Sequence, residues 1–493
     1  MTNIESFLRR RAVAATAFAT SARDVMTRDE AMTMGETLLG LAQDPDRGIK
    51  IDHKVVTILR VTRNTQISCA VTDQLAISFS THLGSDQWVV VPTNVRDLGM
   101  LRRVIQHAQT RATPRPHVEG DESSDDLVLH IPPRTYMPVS LWHESTNAAM
   151  REHGGETAAR VIAAIRSAIQ TTPLTCAATI AFMTRAKLRL RPPVITAWGE
   201  DTDAEITVTA RTPDNLASGW SGATHRDWTQ MHLDAVVRNA TEMAIRSRGA
   251  VRVEPGRYTT IFSPDAIGAI VGQMGFFFDA ESQSPLNDTF PVRGHLSSKL
   301  GTRIVDERIT MSTDPSDPVA GSFPFFEDHG YPSGAATWID RGIFTAQSIS
   351  LSKSMETGKR PIQLPQALRM SGGPTSIEQM ITQCDRGIYV NRLSNVQIVD
   401  ARSASMVGNT RDGCFLIERG RIKHPITNLR FQDSPFFMFN RLLALGTPRR
   451  AAFGFTPPNA REARYWQGWP RAPIVVPPVM IKDFNFVALA DAV

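Results

Sequence analysis

The chain has 493 residues, 42% of them hydrophobic, with 54 Lys+Arg against 49 Asp+Glu and a formal net charge of +5. That apolar fraction with near-balanced charge excludes a disordered chain, and the length implies two or three domains with a sizeable core. Four cysteines (Cys69, Cys176, Cys384 and Cys414) without a C-x-x-C exclude a disulfide scaffold and suit a reducing compartment.

At the start, Arg9-Arg10-Arg11 precedes AVAATAFATSA, which beyond Val13 and Phe18 has no strong hydrophobes. The segment reads as the beginning of a first helix rather than a secretion signal, and the chain as cytoplasmic. Residues 30–41 carry Met32, Met34, Leu38, Leu39 and Leu41 at helical spacing. Residues 54–61 (KVVTILRV), 66–77 and 87–91 (QWVVV) are rich in β-branched side chains and predict strands. Asn94 is a candidate N-cap for a helix to about residue 110, and the acidic run 119–126 (EGDESSDD) then reads as a loop.

A second cycle follows: a helix over 156–169, strands over 175–184, 188–197 and 204–211, and a helix over 227–248. Helix, strands, helix, twice, predicts an α+β domain with an antiparallel sheet over residues 1–250. Beyond it the texture changes. A short strand at 258–262 leads into an apolar helix at 264–278, and short Gly/Pro-punctuated strands follow at 303–311, 336–339, 387–390, 413–418 and 475–486. Residues 251–493 are therefore expected to form a second, mostly-β domain with a few helices. The longest apolar run, 266–278 (AIGAIVGQMGFFF), is short of the roughly 20 residues that span a bilayer, so no membrane is expected.

The motif search returns no complete catalytic constellation. No two of the twelve histidines stand four apart, as a helical zinc pair requires. Glu327-Asp328-His329 is a compact cluster without a second histidine at ligand spacing. G-x-S-x-G, G-x-G-x-x-G and the P-loop pattern are all missing. The chain has 8 Lys and 46 Arg, and its basic clusters at 185–191, 238–248 and 448–450 interleave no aromatics with a known nucleic-acid module. Nucleic acid is not an expected partner.

The C-terminal half carries an ordered series of segments: 258–272 (YTTIFSPDAIGAIVG), 296–314 (LSSKLGTRIVDERITMSTD), 328–347 (DHGYPSGAATWIDRGIFTAQ), 376–390 (SIEQMITQCDRGIYV) and 399–428 (VDARSASMVGNTRDGCFLIERGRIKHPITN). In order and spacing these resemble the TldD/PmbA family, whose members form protease complexes. Within them, ID-RG-IF and IE-RG-RI place Gly342 and Gly420 in two-residue hairpin turns, a structural role.

The resemblance implies a division of labour. TldD-type members bind a catalytic zinc through H-E-x-x-x-H and a C-terminal Cys; PmbA/TldE-type members lack the motif and pair with a TldD-type subunit. At that position this chain has Gly272, Gln273 and Phe277, and 465–474 (YWQGWPRAPI) contains no Cys. Glycine has no side chain, phenylalanine no lone pair, and glutamine cannot act as a carboxylate base. The resemblance therefore implies a PmbA/TldE-like subunit with no metal-dependent catalysis of its own and no cofactor. Zinc is expected in a TldD-type partner, whether as a heterodimer or with this chain as a homodimer, and the substrate is an unfolded or leader peptide. Gln273, Phe276, Phe277, Glu327, Asp328 and His329 are candidates to line a shared cavity. Two other readings stay open. One is a repurposed member maturing a specific peptide or natural product, to which the aromatic tail Tyr465, Trp466 and Trp469 would be suited; the other is a homodimeric binding protein without protease activity.

Overall fold

In a computed structural model the chain is described over residues 25–41, 47–81, 88–91, 98–111, 135–152, 154–170, 172–279, 299–327, 329–453 and 473–490. The segment after Arg11, the proposed Asn94 cap, the acidic run 119–126, Asp328 and the aromatic tail Tyr465, Trp466 and Trp469 lie outside the described residues.

The first half is built on one six-stranded antiparallel sheet in the order β3-β2-β1-β4-β5-β6. Its strands are β1 (Arg47–Thr62), β2 (Gln66–Thr81), β3 (Trp88–Val91), β4 (Thr175–Arg191), β5 (Ile195–Arg211) and β6 (Ser218–His225). Strand periodicity gives the sheet two unlike faces. On one, Ile49, Ile51, Leu75 and Ile77 pack with Leu188 and Leu190 against α1 (Arg28–Leu39) and α2 (Leu98–Arg111). Further along it, Ile180, Phe182, Ile206 and Val208 meet α4 (Gly155–Ala168) and α5 (Leu233–Arg246), and α3 (Glu144–Arg151) adds Ala149 and Met150. The caps are local: the Thr27 hydroxyl accepts from the Glu30 amide while the Glu30 carboxylate accepts from the Thr27 amide, closing a capping box ahead of α1. On the other face the same strands present Arg185, Lys187 and Arg189 beside Asp201, Asp203 and Glu205.

The second half holds two sheets around one core. The larger runs β12-β7-β19-β15-β13-β14, with β16 added to β19; the smaller runs β10-β9-β8-β11-β18-β17. Strands β7 (Gly256–Phe262), β12 (Arg386–Asp400), β13 (Ser405–Glu418), β14 (Arg421–Pro425), β15 (Leu429–Asp433), β16 (Leu442–Leu445) and β19 (Val479–Leu489) make the first. The second consists of β8 (Met311–Thr313), β9 (Ala336–Asp340), β10 (Ile343–Phe344), β11 (Leu368–Met370), β17 (Arg449–Arg450) and β18 (Ile474–Val476). The apolar helix α6 (Pro264–Met274) packs against β12 and β18, so one continuous core draws on both sheets. Among the described residues no helix is long and apolar enough to cross a membrane.

Both hairpin turns foreseen from ID-RG-IF and IE-RG-RI are present. Arg341 and Gly342 have φ of 43° and 80°, and Arg419 and Gly420 of 50° and 71°, the paired left-handed conformations of a two-residue turn. Three expected strands are corrected. The one over 188–197 spans a turn: β4 ends at Arg191 and β5 starts at Ile195 because Pro192-Pro193 cannot supply ladder donors. The one over 475–486 is two strands in different sheets, β18 and β19, separated by Pro477-Pro478. The one over 303–311 becomes a strand only at Met311, apart from an isolated bridge of Arg303 to Ile343; between them Val305 and Ile309 are buried from a loop. The helix over 264–278 stops at Met274 and finishes as a 3-10 turn through Phe278.

Candidate functional site

Strand β7 leads straight into α6. The Ser263 hydroxyl accepts from the Ala266 amide at 3.1 Å and donates to the Asn391 carbonyl at 2.6 Å, and Pro264 occupies the first turn, where a missing N–H costs nothing. The Asp265 carboxylate is held by Arg449 and accepts from the Ala452 amide at 2.8 Å, tying the helix start to β17. At the other end, the half-buried Gln273 amide donates to the Val396 carbonyl at 3.4 Å. A Cβ at Gly272 would meet only Ile474, at 3.9 Å. Phe276 is half-buried and edge-on to Phe277, with centroids 5.7 Å apart; Phe277 is fully buried and also packs on Phe436 at 5.6 Å. Of the candidates on this helix, Phe277 is therefore a core residue, while Gln273 and Phe276 retain partial exposure.

Zinc does not fit these residues. Gly272 and Phe277 offer no donor, and Gln273 offers a neutral amide turned toward Val396. Cys384 and Cys414 are buried, and burial pushes their thiols up to about 11 and about 12, so both stay protonated at neutral pH. Among the described residues no three His, Cys, Asp or Glu side chains are grouped as metal ligands.

Glu327 and His329 belong to a different place. Residues 321–327 and 329–333 lie along the charged face of the first sheet. Glu327 sits 2.7 Å from the Lys187 ammonium, and its backbone carbonyl accepts from Arg189. Burial alone would raise the Glu327 pKa, but Lys187, Arg185 and Arg189 together hold it low, so it stays ionised. Arg185 and Lys187 each lie 5.3 Å from the Phe323 ring centroid. Gly199 lets that ring close in, since a Cβ there would stand 2.4 Å from it. His329 is half-buried in the same turn. The partners found for Glu327 thus lie in the first sheet.

The two halves meet along this face. Asp201 receives Arg185 through two hydrogen bonds, at 2.9 and 2.6 Å, and Arg226 at 3.0 Å; Arg226 in turn donates to the Gly321 carbonyl at 2.6 Å. Arg450 pairs with Asp203, and the Phe453 amide donates to Glu205 at 3.3 Å. Arg185 and Arg450 lie in the basic clusters at 185–191 and 448–450, but their carboxylate partners and Arg226 were not singled out from the sequence. The signal was there: cations at 185, 187 and 189 alternating with Ala186 and Leu188, and carboxylates at 201, 203 and 205 alternating with Thr202 and Ala204, on either side of Pro192-Pro193. At a period of two, each set lies on a single face of its strand.

Just before this segment, Asp317 accepts from Arg369 and from the Val319 and Ala320 amides, both at 2.8 Å. Burial would raise its pKa, but these donors outweigh burial and bring it down to about 2. A carboxylate held low when folded contributes stability above its unfolded pKa of about 3.9 and loses it as pH falls toward 2. Urea unfolding at stepped pH should therefore show the wild type losing more stability between pH 4 and 2 than Asp317→Asn. Parallel curves would contradict this.

Residues 255–488 match the PmbA/TldA metallopeptidase C-terminal domain. A protein from Methanothermobacter thermautotrophicus named Metalloprotease is 21% identical over 254 residues, covering 49% of this chain; the match spans 54%, about half, of that relative's length. Three solved structures share the fold. A proposed modulator of a DNA gyrase from Thermotoga maritima has a TM-score of 0.73 at 14% identity, covering 93% of this chain and 100% of its own. TldE from Thermococcus kodakarensis has 0.71 at 14%, covering 93% and 99%. A proposed DNA gyrase modulator from Bacteroides thetaiotaomicron has 0.70 at 15%, covering 94% and 100%.

Proposed function

This chain belongs to the TldD/PmbA family, and from that premise we propose that it is a PmbA/TldE-like, non-catalytic subunit of a metalloprotease assembly. It pairs in the cytoplasm with a zinc-bearing TldD-type homologue and helps to enclose an unfolded or leader peptide while the partner hydrolyses it. The observation that carries this reading is the donor set at the end of α6: a glycine, an amide engaged with the Val396 carbonyl and a buried phenyl ring. None offers a zinc ion the imidazole, thiolate or carboxylate it prefers, and none can take a proton from water.

An extended peptide needs a strand edge with free backbone groups. Strand β2 has one: β3 pairs only with its far end, Ile77 to Ser80, and residues 66–72 have no outer ladder partner among the described residues. Ile67 and Val71 there are 52% and 50% exposed. Backbone pairing along such an edge gives little selectivity for side chains, which suits a subunit serving many unfolded sequences.

The test is to purify this chain alone and co-expressed with a TldD-type homologue, then measure zinc by elemental analysis and hydrolysis of an unfolded casein fragment. The expected result is turnover, abolished by chelation, only in the co-expressed assembly. Stoichiometric zinc and chelator-sensitive turnover in the chain alone would overturn the reading.

A further inference from the structure

The charged face of the first sheet is ordered in transverse rows. Register places Lys54 of β1 beside Arg185 of β4, and Arg185 beside Asp201 of β5; the next row sets Asp52 beside Lys187, and the one after it Lys50 beside Arg189. Most cations here have committed counterions. Arg185 and Arg226 share Asp201, Lys187 has Glu327, Arg189 has Asp52, and Arg450 has Asp203. Lys54 differs: among the described residues its ammonium makes no hydrogen bond and no ion pair. Burial, then Arg185, then Lys187 lower its pKa, against a smaller opposing pull from Asp52.

A half-buried ammonium beside two other cations, with the nearest carboxylates already engaged, leaves a local excess of positive charge that an incoming anion would relieve. Access is open on one side. Gln74, the register partner of Lys54 on β2, and Thr72 beyond it are both exposed. A second donor is at hand as well: Arg185 spends Nε and Nη2 on Asp201, which leaves Nη1.

We propose that Lys54, with Arg185 beside it, forms a subsite for a peptide carboxylate at the seam between the two halves. The subsite rests on the peptide-handling reading above and gives it a chemical preference. One carboxylate oxygen meets the Lys54 ammonium and the other faces Arg185 Nη1, so the peptide is anchored by charge at one point while its backbone runs along β2. The carboxylate belongs either to the chain terminus or to an acidic side chain, and the chemistry recognised is the same.

The experiment uses the full chain and three fluorescein-labelled decapeptides of one apolar sequence: with a free C-terminal carboxylate, with a C-terminal amide, and with the amide plus one internal Glu. Binding is followed by fluorescence anisotropy. The free acid is expected to bind about tenfold more tightly than the amide, as a charge-assisted hydrogen bond implies. Lys54→Met should abolish that difference and Lys54→Arg should keep it. Recovery of affinity by the internal Glu would assign the site to acidic side chains, and its absence to the terminus. Equal binding of all three, or a preference that survives in Lys54→Met, overturns the subsite and leaves the peptide reading standing.

If no peptide binds, that reading fails and the subsite is judged separately. The Lys54 resonance of chain carrying 13C-methylated lysines, assigned by its loss in Lys54→Met, should move saturably as sodium acetate is added. No movement overturns the proposal.

Discussion

Asp201→Asn should destabilise the folded chain by about 3–5 kcal/mol, the cost of breaking a buried ion pair by removing one partner. Asp201 is 1% exposed and serves two guanidiniums. The substitution keeps the shape, but the amide presents one oxygen where two accepted, and it leaves Arg185 and Arg226 without the carboxylate they share. Arg226, itself buried, also holds the Gly321 carbonyl of the second half, so the loss reaches across the seam. Urea unfolding of wild type, Asp201→Asn, Arg185→Met and the double variant measures it. The double variant should cost less than the sum of the singles, since Arg185 is then no longer stranded and only Arg226 lacks its carboxylate. A loss below about 1 kcal/mol for Asp201→Asn, the range of exposed pairs, would show that water reaches the site.

Phe278→Ala should cost about 3–5 kcal/mol, as deletion of a buried aromatic ring does. The ring is fully buried, stacked on Trp338 at a centroid distance of 5.4 Å and a 12° interplanar angle, and on Phe344 at 6.1 Å. Trp338 cannot easily follow it into the void, because its indole N–H is held by the Thr313 hydroxyl at 2.8 Å. The cavity should thus remain largely open, which places the variant toward the upper end of the range. Phe278→Leu, which refills much of the volume, should recover most of the loss in the same assay. If Phe278→Ala cost less than about 1.5 kcal/mol, collapse of the surroundings would have been underestimated.

What could be read from the sequence was mostly local. The Arg-Gly turns were legible because a two-residue hairpin needs left-handed backbone and glycine supplies it. The first-half helices were legible through their apolar spacing and, for α1, the Thr27–Glu30 box. Strand identity in the second half was harder. Residues 303–311 put Val305, Ile309 and Met311 on one face of a notional strand, yet whether a segment pairs depends on where its neighbour lies, and residue spacing carries no such information. The site shows the same division. The residues at 272, 273 and 277 could be judged directly, since having no ligating atom, or only a neutral amide, is a property of the side chain. The surroundings of Glu327 could not, because its partner Lys187 is far upstream in the chain. The basic run 185–191 looked diffuse for a related reason: its counter-charges lie on the two neighbouring strands and in a distant loop, at Asp201, Asp52 and Glu327.

The contact between Arg450 and Asp203 spans 247 positions of chain. At about 5–20 residues per second, a ribosome that has released the first sheet needs on the order of 12–50 s more before Arg450 emerges. For about the first half of that interval Lys187 also lacks its partner, because Glu327 is still to come, whereas Arg185 and Arg189 already have Asp201 and Asp52. A nascent or truncated first half would consequently carry one stranded cation, Lys187, and one stranded carboxylate, Asp203, which the completed chain neutralises only when its second half folds back.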